Sequence, residues 1–273
     1  MDLINSIRGN FREQYPKYAA KNKSAPASFV SQSASVNFVS QSDPVLKSGY
    51  PDYDIFQRNT DLPISQDSKL AFKNPEQFIN MYSNPMIIEN ALDANPNIAK
   101  ILEENGLPVD YYLQNITSIT NSHLIPTANK ALEIYKNLGH EISEDNCLYL
   151  MEAALLHDIG KVFIPPEILN KEGKLTPKER QILELHNKLS YEILTTTNLN
   201  PKVARLAYEH HNYGNNVKPN DENQALTMAD IYSALQEERP YKEAYSDTTT
   251  RAIMYDAGNK GKFDLRYMPY LQF

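Results

Sequence analysis

The feature that most constrains the fold is a series of polar–proline pairs, each standing directly before a segment with helical periodicity. The pairs are Asn84-Pro85, Asn95-Pro96, Thr176-Pro177 and Asn200-Pro201. A polar N-cap followed by proline in the first helical position is typical of a helix start, so each pair predicts a helix. Glu179 completes a capping box with Thr176. No stretch alternates like a strand for more than four residues, so the sequence predicts an all-α fold.

The predicted helices follow one another from about Pro75 onwards. After the first, near Pro75, they cover about 85–92, 96–105, 110–138, 143–158, 177–195, 201–210, 224–237 and 248–257, with loops at 159–175 and 212–223. Gly106 and Gly139 stand where two of them should stop. Pro126 lies inside one segment, so that helix is expected to begin near Ser122 or to bend there. Ser143 is the expected cap of the next helix.

The N-terminal quarter of the chain has a different character. Residues 1–74 are rich in Ser, Asn, Gln, Asp and Pro without sustained periodicity, which predicts a low-complexity, disordered or irregular tail. A short tandem repeat, SFVSQSASV at 28–36 and NFVSQSDPV at 37–45, lies within it. Two interpretations stay open for this repeat. It is either a docking segment for a protein partner or the product of replication slippage.

Composition excludes several classes of protein. The formal net charge of -7 gives the chain no general attraction for double-stranded nucleic acid or for anionic membranes. Cys147 is the single cysteine, which excludes an internal disulfide and a cysteine-based zinc site. The first residues, MDLINSIRGNFREQY, show no apolar core of a signal peptide, and no segment is long and apolar enough to span a bilayer. We therefore expect a cytoplasmic protein without membrane insertion.

Several histidines and aspartates share helix faces with apolar residues. His186 lies on one face with Ile182 and Leu189, His157 follows the apolar run AALL, and Asp230 has no arginine three or four residues away. A buried imidazole or carboxylate needs a hydrogen-bond partner or a cation. The residues alone leave two interpretations open, a transition-metal site with imidazole and carboxylate ligands and a hydrogen-bonded network between helices.

Residues 157–161, His-Asp-Ile-Gly-Lys, resemble the HD superfamily of metal-dependent phosphohydrolases. The stretch 157–186 is similar to the HD-GYP subfamily, whose known members hydrolyse cyclic di-GMP. Tyr-Glu-His-His at 208–211, the Asp-bearing helix at 229–235 and Arg-Pro-Tyr-Lys at 239–242 match further motifs of that subfamily in the same order. The resemblance implies an HD-domain helical bundle, with a lead-in at 75–117 and an HD-GYP-like catalytic domain at 118–270.

The resemblance also implies a centre of two divalent transition metals, iron, manganese or a similar ion. One metal would be held by His123, His157, Asp158 and Asp230, and the second by His186, His210 and His211, with Asp158 bridging. His140 matches no motif and is expected at the surface. Ile119 stands where some members carry a glutamate for a third metal, so two metals are expected.

By the same resemblance the chain is a phosphodiesterase that cleaves a cyclic dinucleotide, most simply cyclic di-GMP. A hydroxide bridging the metals would attack phosphorus, since bound metals lower the pKa of water. Asp158 and Lys161 are the expected catalytic residues. Lys161, Arg239 and Lys242 are the expected phosphate-binding cations.

The chain also departs from the subfamily at identifiable positions. Val217 and Lys218 replace the Gly-Tyr of the defining loop, Pro126 replaces a basic residue, and Ser233 replaces a second aspartate. These changes spare the metal ligands and fall on parts expected to select the substrate. Two alternatives to a cyclic-dinucleotide phosphodiesterase follow: a phosphohydrolase acting on another nucleotide, and a non-catalytic module that senses a nucleotide or binds a partner.

Overall fold

The computed structural model describes residues 68–142, 147–211, 220–238 and 243–273, which are helical and contain no β-strand. The all-α prediction is therefore confirmed for these ranges. The α-helices are α1 Ser68–Lys73, α2 Pro75–Tyr82, α3 Pro85–Ala94, α4 Pro96–Glu104, α5 Gln114–Thr117, α6 Ile125–Asn137, α7 Leu148–Leu156, α8 Pro166–Leu169, α9 Pro177–Leu194, α10 Pro201–Glu209, α11 Asp221–Gln236 and α12 Asp247–Asn259. A π-helical turn at Thr120–Leu124 and 3-10 helices at Ile159–Phe163 and Leu265–Tyr270 complete the described elements.

Some predictions concern residues outside the described ranges. They are the N-terminal segment to residue 67 with its tandem repeat, the Ser143 cap, the loop at 212–219, and the cations Arg239 and Lys242. Within the described residues, none of the helices has the combined length and apolar composition needed to cross a membrane.

The predicted helix starts form as their sequences indicate. The Asn84 side chain accepts a hydrogen bond from the backbone N–H of Ile87, and Asn200 accepts one from Lys202. At the start of α9, Thr176 and Glu179 make both hydrogen bonds of the capping box. These bonds satisfy N–H groups that have no partner inside the helix, which is why such local signals determine where a helix begins.

Pro126 produces a π-helical turn rather than a simple bend. Proline has no N–H to donate to the carbonyl four residues earlier, so regular helix cannot continue through this point. The chain widens at Thr120–Leu124, where the Leu124 N–H bonds the Ile119 carbonyl five residues back, and α6 begins directly afterwards. His123 lies inside this widened turn.

Helix α7 is the centre of the fold. All of its residues except Tyr149 are buried, as expected for a helix that is apolar on every side. Helices α1, α6 and α10 pack around it. Its sequence predicted a start at residue 143, but the described helix begins at Leu148, after a non-helical Cys147. Its other end runs straight into His157 and Asp158, so the core helix positions this pair.

The lead-in helices share the core of the domain that follows. Phe78, Ile88 and Ile98 are fully buried in the same apolar cluster as residues of α6 to α11. Residues 68–73, which the sequence placed in the low-complexity region, form α1, and its Ala71 is buried. The boundary at residue 118 remains a prediction, but it does not separate two cores in the described residues.

Asn95 joins the lead-in to the rest of the fold, which gives a stability prediction. Its Oδ1 caps α4, while its Nδ2 donates to the carbonyl oxygen and the carboxylate of Glu192 on α9, at 3.1 and 2.7 Å. We expect Asn95→Ala to lower the free energy of unfolding by about 1–2 kcal/mol, because a cap and two bonds between helices are lost.

Chemical denaturation of the full chain measures this change. Asn97→Ala is the matched control, since Asn97 is exposed and reaches the Glu192 carboxylate only at 3.5 Å. If the two variants had equal free energies of unfolding, the bonds from Asn95 to Glu192 would not stabilise the packing of the lead-in helices on α9.

Candidate metal centre

The structure brings together the seven side chains predicted as metal ligands. They come from the π-helical turn, the end of α7, the middle of α9, the end of α10 and the middle of α11. Three groups of ligand atoms each lie within 4.8 Å of one another, and together they include every predicted ligand. The groups are His186, His210 and His211; His123, His157 and Asp230; and His157, Asp158 and His210.

The two oxygens of Asp158 face different histidines. Asp158 Oδ2 lies 3.5 Å from His123 Nε2 and 3.4 Å from His157 Nε2, while Asp158 Oδ1 lies 3.2 Å from His186 Nε2. The side chain is 2% exposed. Asp158 therefore stands between the two groups of histidines, which is the position that a bridging carboxylate requires.

Asp230 completes the first group. Its Oδ1 lies 3.1 Å from His123 Nε2 and 3.6 Å from His157 Nε2, and its Oδ2 lies 3.9 Å from His211 Nε2. The His211 side chain is 36% exposed, whereas those of His123, His157 and His186 are at most 5% exposed. The centre is therefore open to solvent on the side of His211.

Three buried histidines are held in one tautomer by their own helices. The Nδ1 atoms of His157, His186 and His210 lie 2.8, 2.6 and 2.6 Å from the carbonyl oxygens of the residues three positions earlier. A carbonyl oxygen only accepts, so each Nδ1 carries the proton and donates it. When such a ring is neutral, its Nε2 carries a lone pair that points into the centre. This is how a metal-binding imidazole is normally oriented.

This arrangement fits a bound cation. The Nε2 atoms of His186 and His210 face each other at 3.4 Å, and two lone pairs at this distance repel unless a positive charge lies against both. The buried Nε2 of His157 makes no hydrogen bond to any described residue. Imidazole and carboxylate donors without thiolate suit divalent transition metals.

The carboxylates stay ionised although they are buried. Burial alone would raise the pKa of both, because it disfavours charge. The charges of Lys161 and His157 instead hold the pKa of Asp158 well below its usual value, and the hydrogen bond from His123 together with the charge of His157 does the same for Asp230.

The histidines divide into two sets according to whether the carboxylates or burial dominate their pKa values. Burial opposes protonation of His123 and His157, but Asp158 and Asp230 outweigh it and raise both pKa values, to about 10 for His157. A positive charge is therefore favoured at this end of the centre.

At the other end burial dominates. It lowers the pKa of His186 to about 3, that of His210 well below its usual value, and that of His211 in the same direction. These three rings are neutral near pH 7, which is the form that binds metal.

Lys161 lies at the edge of the centre, on the 3-10 helix after Asp158. Its Nζ is 2.5 Å from Asp158 Oδ2, and its side chain is 18% exposed. The backbone that carries it is held by Asn115 of α5, whose Nδ2 donates to the carbonyls of Lys161 and Ile164, both at 2.8 Å. The predicted catalytic lysine therefore contacts the predicted bridging carboxylate directly.

Ser190 is a site residue that sequence reasoning missed. Its hydroxyl donates to the His157 carbonyl at 2.6 Å and accepts from the Gly160 N–H at 2.8 Å, so it ties the turn carrying Asp158 to helix α9, one turn after His186. A Cβ on Gly160 would lie 2.1 Å from the His186 carbonyl, so only glycine allows this approach. The helical spacing of Ser190 from His186 was the only signal available in the sequence.

Thr227 plays a similar part on α11. Its Oγ1 donates to the His210 carbonyl at 3.1 Å and so joins the end of α10 to the helix that carries Asp230. Hydrogen bonds of this kind orient ligands that come from distant parts of the chain.

His140 lies outside the centre, as the sequence predicted. Its Nε2 is 2.6 Å from Asp221 Oδ2, its ring stacks on Tyr135, and its side chain is 37% exposed. Asp221 also accepts a hydrogen bond from Tyr267, so this group joins α6, α11 and the C-terminal 3-10 helix.

Comparison with known proteins agrees with this geometry. The family described as HD domain matches residues 112–266, more than half of the chain. The chain therefore belongs to the HD-domain family, and the resemblance found in the sequence is confirmed.

Curated relatives are bacterial phosphodiesterases. The cyclic di-GMP phosphodiesterase response regulator RpfG of Xanthomonas campestris is 34% identical over 147 residues, 50% of this chain and 38% of that protein. The 3′3′-cGAMP-specific phosphodiesterase 3 of Vibrio cholerae is 35% identical over 122 residues, 41% of this chain and 26% of that protein. The 3′3′-cGAMP-specific phosphodiesterase 2 of Vibrio cholerae is 27% identical over 186 residues, 63% of this chain and 35% of that protein. The chain spans less than half the length of each of these relatives.

The hydrogen bonds of Ser190 give a second stability prediction. We expect Ser190→Ala to lower the free energy of unfolding by about 1–3 kcal/mol, because the Gly160 N–H and the His157 carbonyl are both left buried without a partner. Chemical denaturation measures the change. Thr195→Ala is the control, since Thr195 is exposed and bonds only the Glu192 carbonyl of its own helix. A loss no larger than that of the control would mean that Ser190 does not hold the turn.

Proposed function

We propose that this chain is a metal-dependent phosphodiesterase of the HD-GYP type that cleaves a cyclic dinucleotide, cyclic di-GMP or a relative such as 3′3′-cGAMP. The observation that carries the proposal is the buried Asp158, whose two oxygens face separate groups of imidazole nitrogens. The names of the relatives support the substrate class.

The seven side chains divide into two ligand sets in this proposal. His123, His157 and Asp230 hold one ion, and His186, His210 and His211 hold the other, with Asp158 shared between them. Iron and manganese are the ions we favour, because both accept imidazole and carboxylate ligands. When bound, such ions supply positive charge that activates water and stabilises the phosphoryl group during its transfer.

The chain's own residues then bind and orient the substrate. Hydrolysis forms a bond between a water oxygen and phosphorus and breaks the bond to one ribose oxygen, which leaves with a proton. Lys161 lies beside Asp158 and remains partly exposed, so its ammonium can pair with a phosphate oxygen of a substrate in the opening beside His211. Arg239 and Lys242 are proposed as further phosphate-binding cations on the strength of the RPYK motif.

We also propose the domain bounds, location and partners that the sequence predicts. The catalytic domain is proposed at residues 118–270, close to the match with the HD-domain family at 112–266. A cytoplasmic location, a protein partner for the N-terminal repeat and the lack of double-stranded nucleic acid as a partner are likewise proposed, the last supported by the net charge of -7.

A substrate panel tests the proposed activity. Protein loaded with manganese or iron is incubated with cyclic di-GMP, 3′3′-cGAMP, linear dinucleotides and mononucleotides, and the products are separated by chromatography. We expect a cyclic dinucleotide to be cleaved, and Asp158→Ala to lower turnover by at least about a hundredfold, because both ligand sets lose an oxygen.

Asp256→Ala is the matched control, since Asp256 is an exposed carboxylate paired with Lys260. If only mononucleotides were cleaved, the proposed cyclic-dinucleotide substrate would be wrong. If no compound were cleaved, the proposed hydrolase activity would be rejected in favour of a non-catalytic binding module.

Metal content tests the ligand sets separately. We expect about two ions per chain by elemental analysis after loading and gel filtration. His186→Ala should lose one ion and His123→Ala the other. His140→Ala should retain both, since His140 pairs with Asp221 outside the centre. Full metal content in His186→Ala would contradict the second ligand set.

A further inference from the structure

A groove lies between α6, which follows the turn that carries His123, and α11, which carries Asp230. Its volume is about 260 Å³, and it is lined by Ser122, Pro126, Asn129 and Lys130 on one side and by Tyr232 and Ser233 on the other. Ligand pockets for drug-sized molecules range from about 300 to 1,000 Å³, so this groove has room for one ring system rather than for a whole dinucleotide.

Two residues that line the groove are close in sequence to proposed ligands. Ser122 directly precedes His123, and Ser233 follows Asp230 by three residues on α11. Residues three apart on a helix lie on the same face, so Ser233 and Asp230 point in similar directions. Ser233 is 4% exposed, which places it at the closed inner end. A substrate whose phosphate lies at the centre therefore has the groove within reach of a neighbouring part of the same molecule.

The charges in the groove balance each other. Lys130 Nζ donates to both carboxylate oxygens of Glu133, at 2.9 and 2.8 Å, and lies 4.6 Å from the centre of the Tyr232 ring. Since the Glu133 carboxylate neutralises Lys130, the groove offers a phosphate no net positive charge. The groove therefore favours an uncharged group.

The remaining lining is suited to a flat heterocycle. The rings of Pro126 and Tyr232 give apolar walls, and Tyr232 is only partly buried. The Asn129 amide is exposed and makes no hydrogen bond within the described residues. Nucleobases outside a duplex are recognised by aromatic contacts and by hydrogen bonds to their edges, and an asparagine amide matches the donor and acceptor on the edge of adenine.

Two of the sequence departures fall in this groove. By the resemblance noted in the sequence, Pro126 replaces a basic residue and Ser233 replaces an aspartate, and both residues line the groove. A long basic side chain and a carboxylate at these two places would occupy and charge the same space. In this chain both positions are small or uncharged.

We propose that the groove between α6 and α11 binds one purine base of the cyclic dinucleotide while its phosphate lies at the metal centre. This inference rests on the proposed function. Asn129 and Tyr232 are the specificity residues, and neither contacts the metal ligands in the described structure.

Equilibrium binding tests the groove without depending on turnover. The probe is the bisphosphorothioate analogue of 3′3′-cGAMP, which resists cleavage and carries both purines, titrated calorimetrically into the metal-loaded full chain. Asn129→Trp should fill the groove, and Tyr232→Ala should remove one of its walls. Each variant should therefore bind the probe more weakly, with a Kd raised by about tenfold or more. Tyr232→Phe keeps the ring and should restore Kd to within threefold of the unmodified chain.

Lys136→Trp is the matched control, because Lys136 is exposed on α6 two turns beyond Asn129 and does not line the groove. Its Kd should equal that of the unmodified chain. Metal content and melting temperature confirm that each variant is folded. If Asn129→Trp and Tyr232→Ala kept the Kd of the unmodified chain, or if the unmodified chain did not bind the probe, the proposal that the groove binds a purine base would be wrong. If binding followed these expectations but 3′3′-cGAMP were not cleaved, the proposed hydrolase activity would be wrong and the proposed base-binding groove would still hold.

Discussion

The buried carboxylate of Asp158 is the constraint on which the rest of the centre depends. An isolated charge in a protein interior costs several kcal/mol, so it persists only where other groups compensate it. Here Lys161 lies at 2.5 Å from Asp158 Oδ2, and His123 and His157, whose pKa values are raised, approach the same oxygen at 3.5 and 3.4 Å. The positive charge favoured beside Asp158 lies on the side of this oxygen, and the pKa of Asp158 falls well below its usual value. A site that concentrates donor atoms in this way is built for cations.

The position of Asp158 depends in turn on backbone contacts that involve no ligand atom. The core helix α7 ends two residues before Asp158, Gly160 lets the turn approach α9, and Ser190 bonds the turn on both sides. Thr227 joins the end of α10 to α11 in a comparable way. Since the ligands come from places more than a hundred residues apart, their geometry is only as accurate as these contacts. The contacts that hold these elements together therefore also determine the geometry of the candidate ligands.

The parts of the structure that sequence predicted well are those determined locally. The capping box at Thr176 and the start of α4 at Asn95 follow from side chains that bond N–H groups two or three residues away. The seven candidate ligands could be named because an ordered family motif carries them, and their role as metal ligands stays a prediction. The role of Ser190 was not predicted, because its partners His157 and Gly160 lie about thirty residues earlier and a serine in a helix has no distinctive pattern. The contact of His140 with Asp221 spans 81 positions and escaped prediction for the same reason.

The π-helical turn shows how a local effect of the sequence can change a contact between residues that are far apart in the chain. Pro126 removes one helical donor, so the chain widens at Thr120–Leu124, and His123 is carried on the widened part toward Asp230 at 3.1 Å. The same proline lines the groove between α6 and α11 with a ring that carries no charge. One residue thus affects both the placement of a ligand and the surface beside it. A basic side chain at this position would add charge to a groove whose only lysine is already paired with Glu133. A change at this position would therefore alter both the charge of the groove and the placement of His123, while the set of donor residues would stay the same.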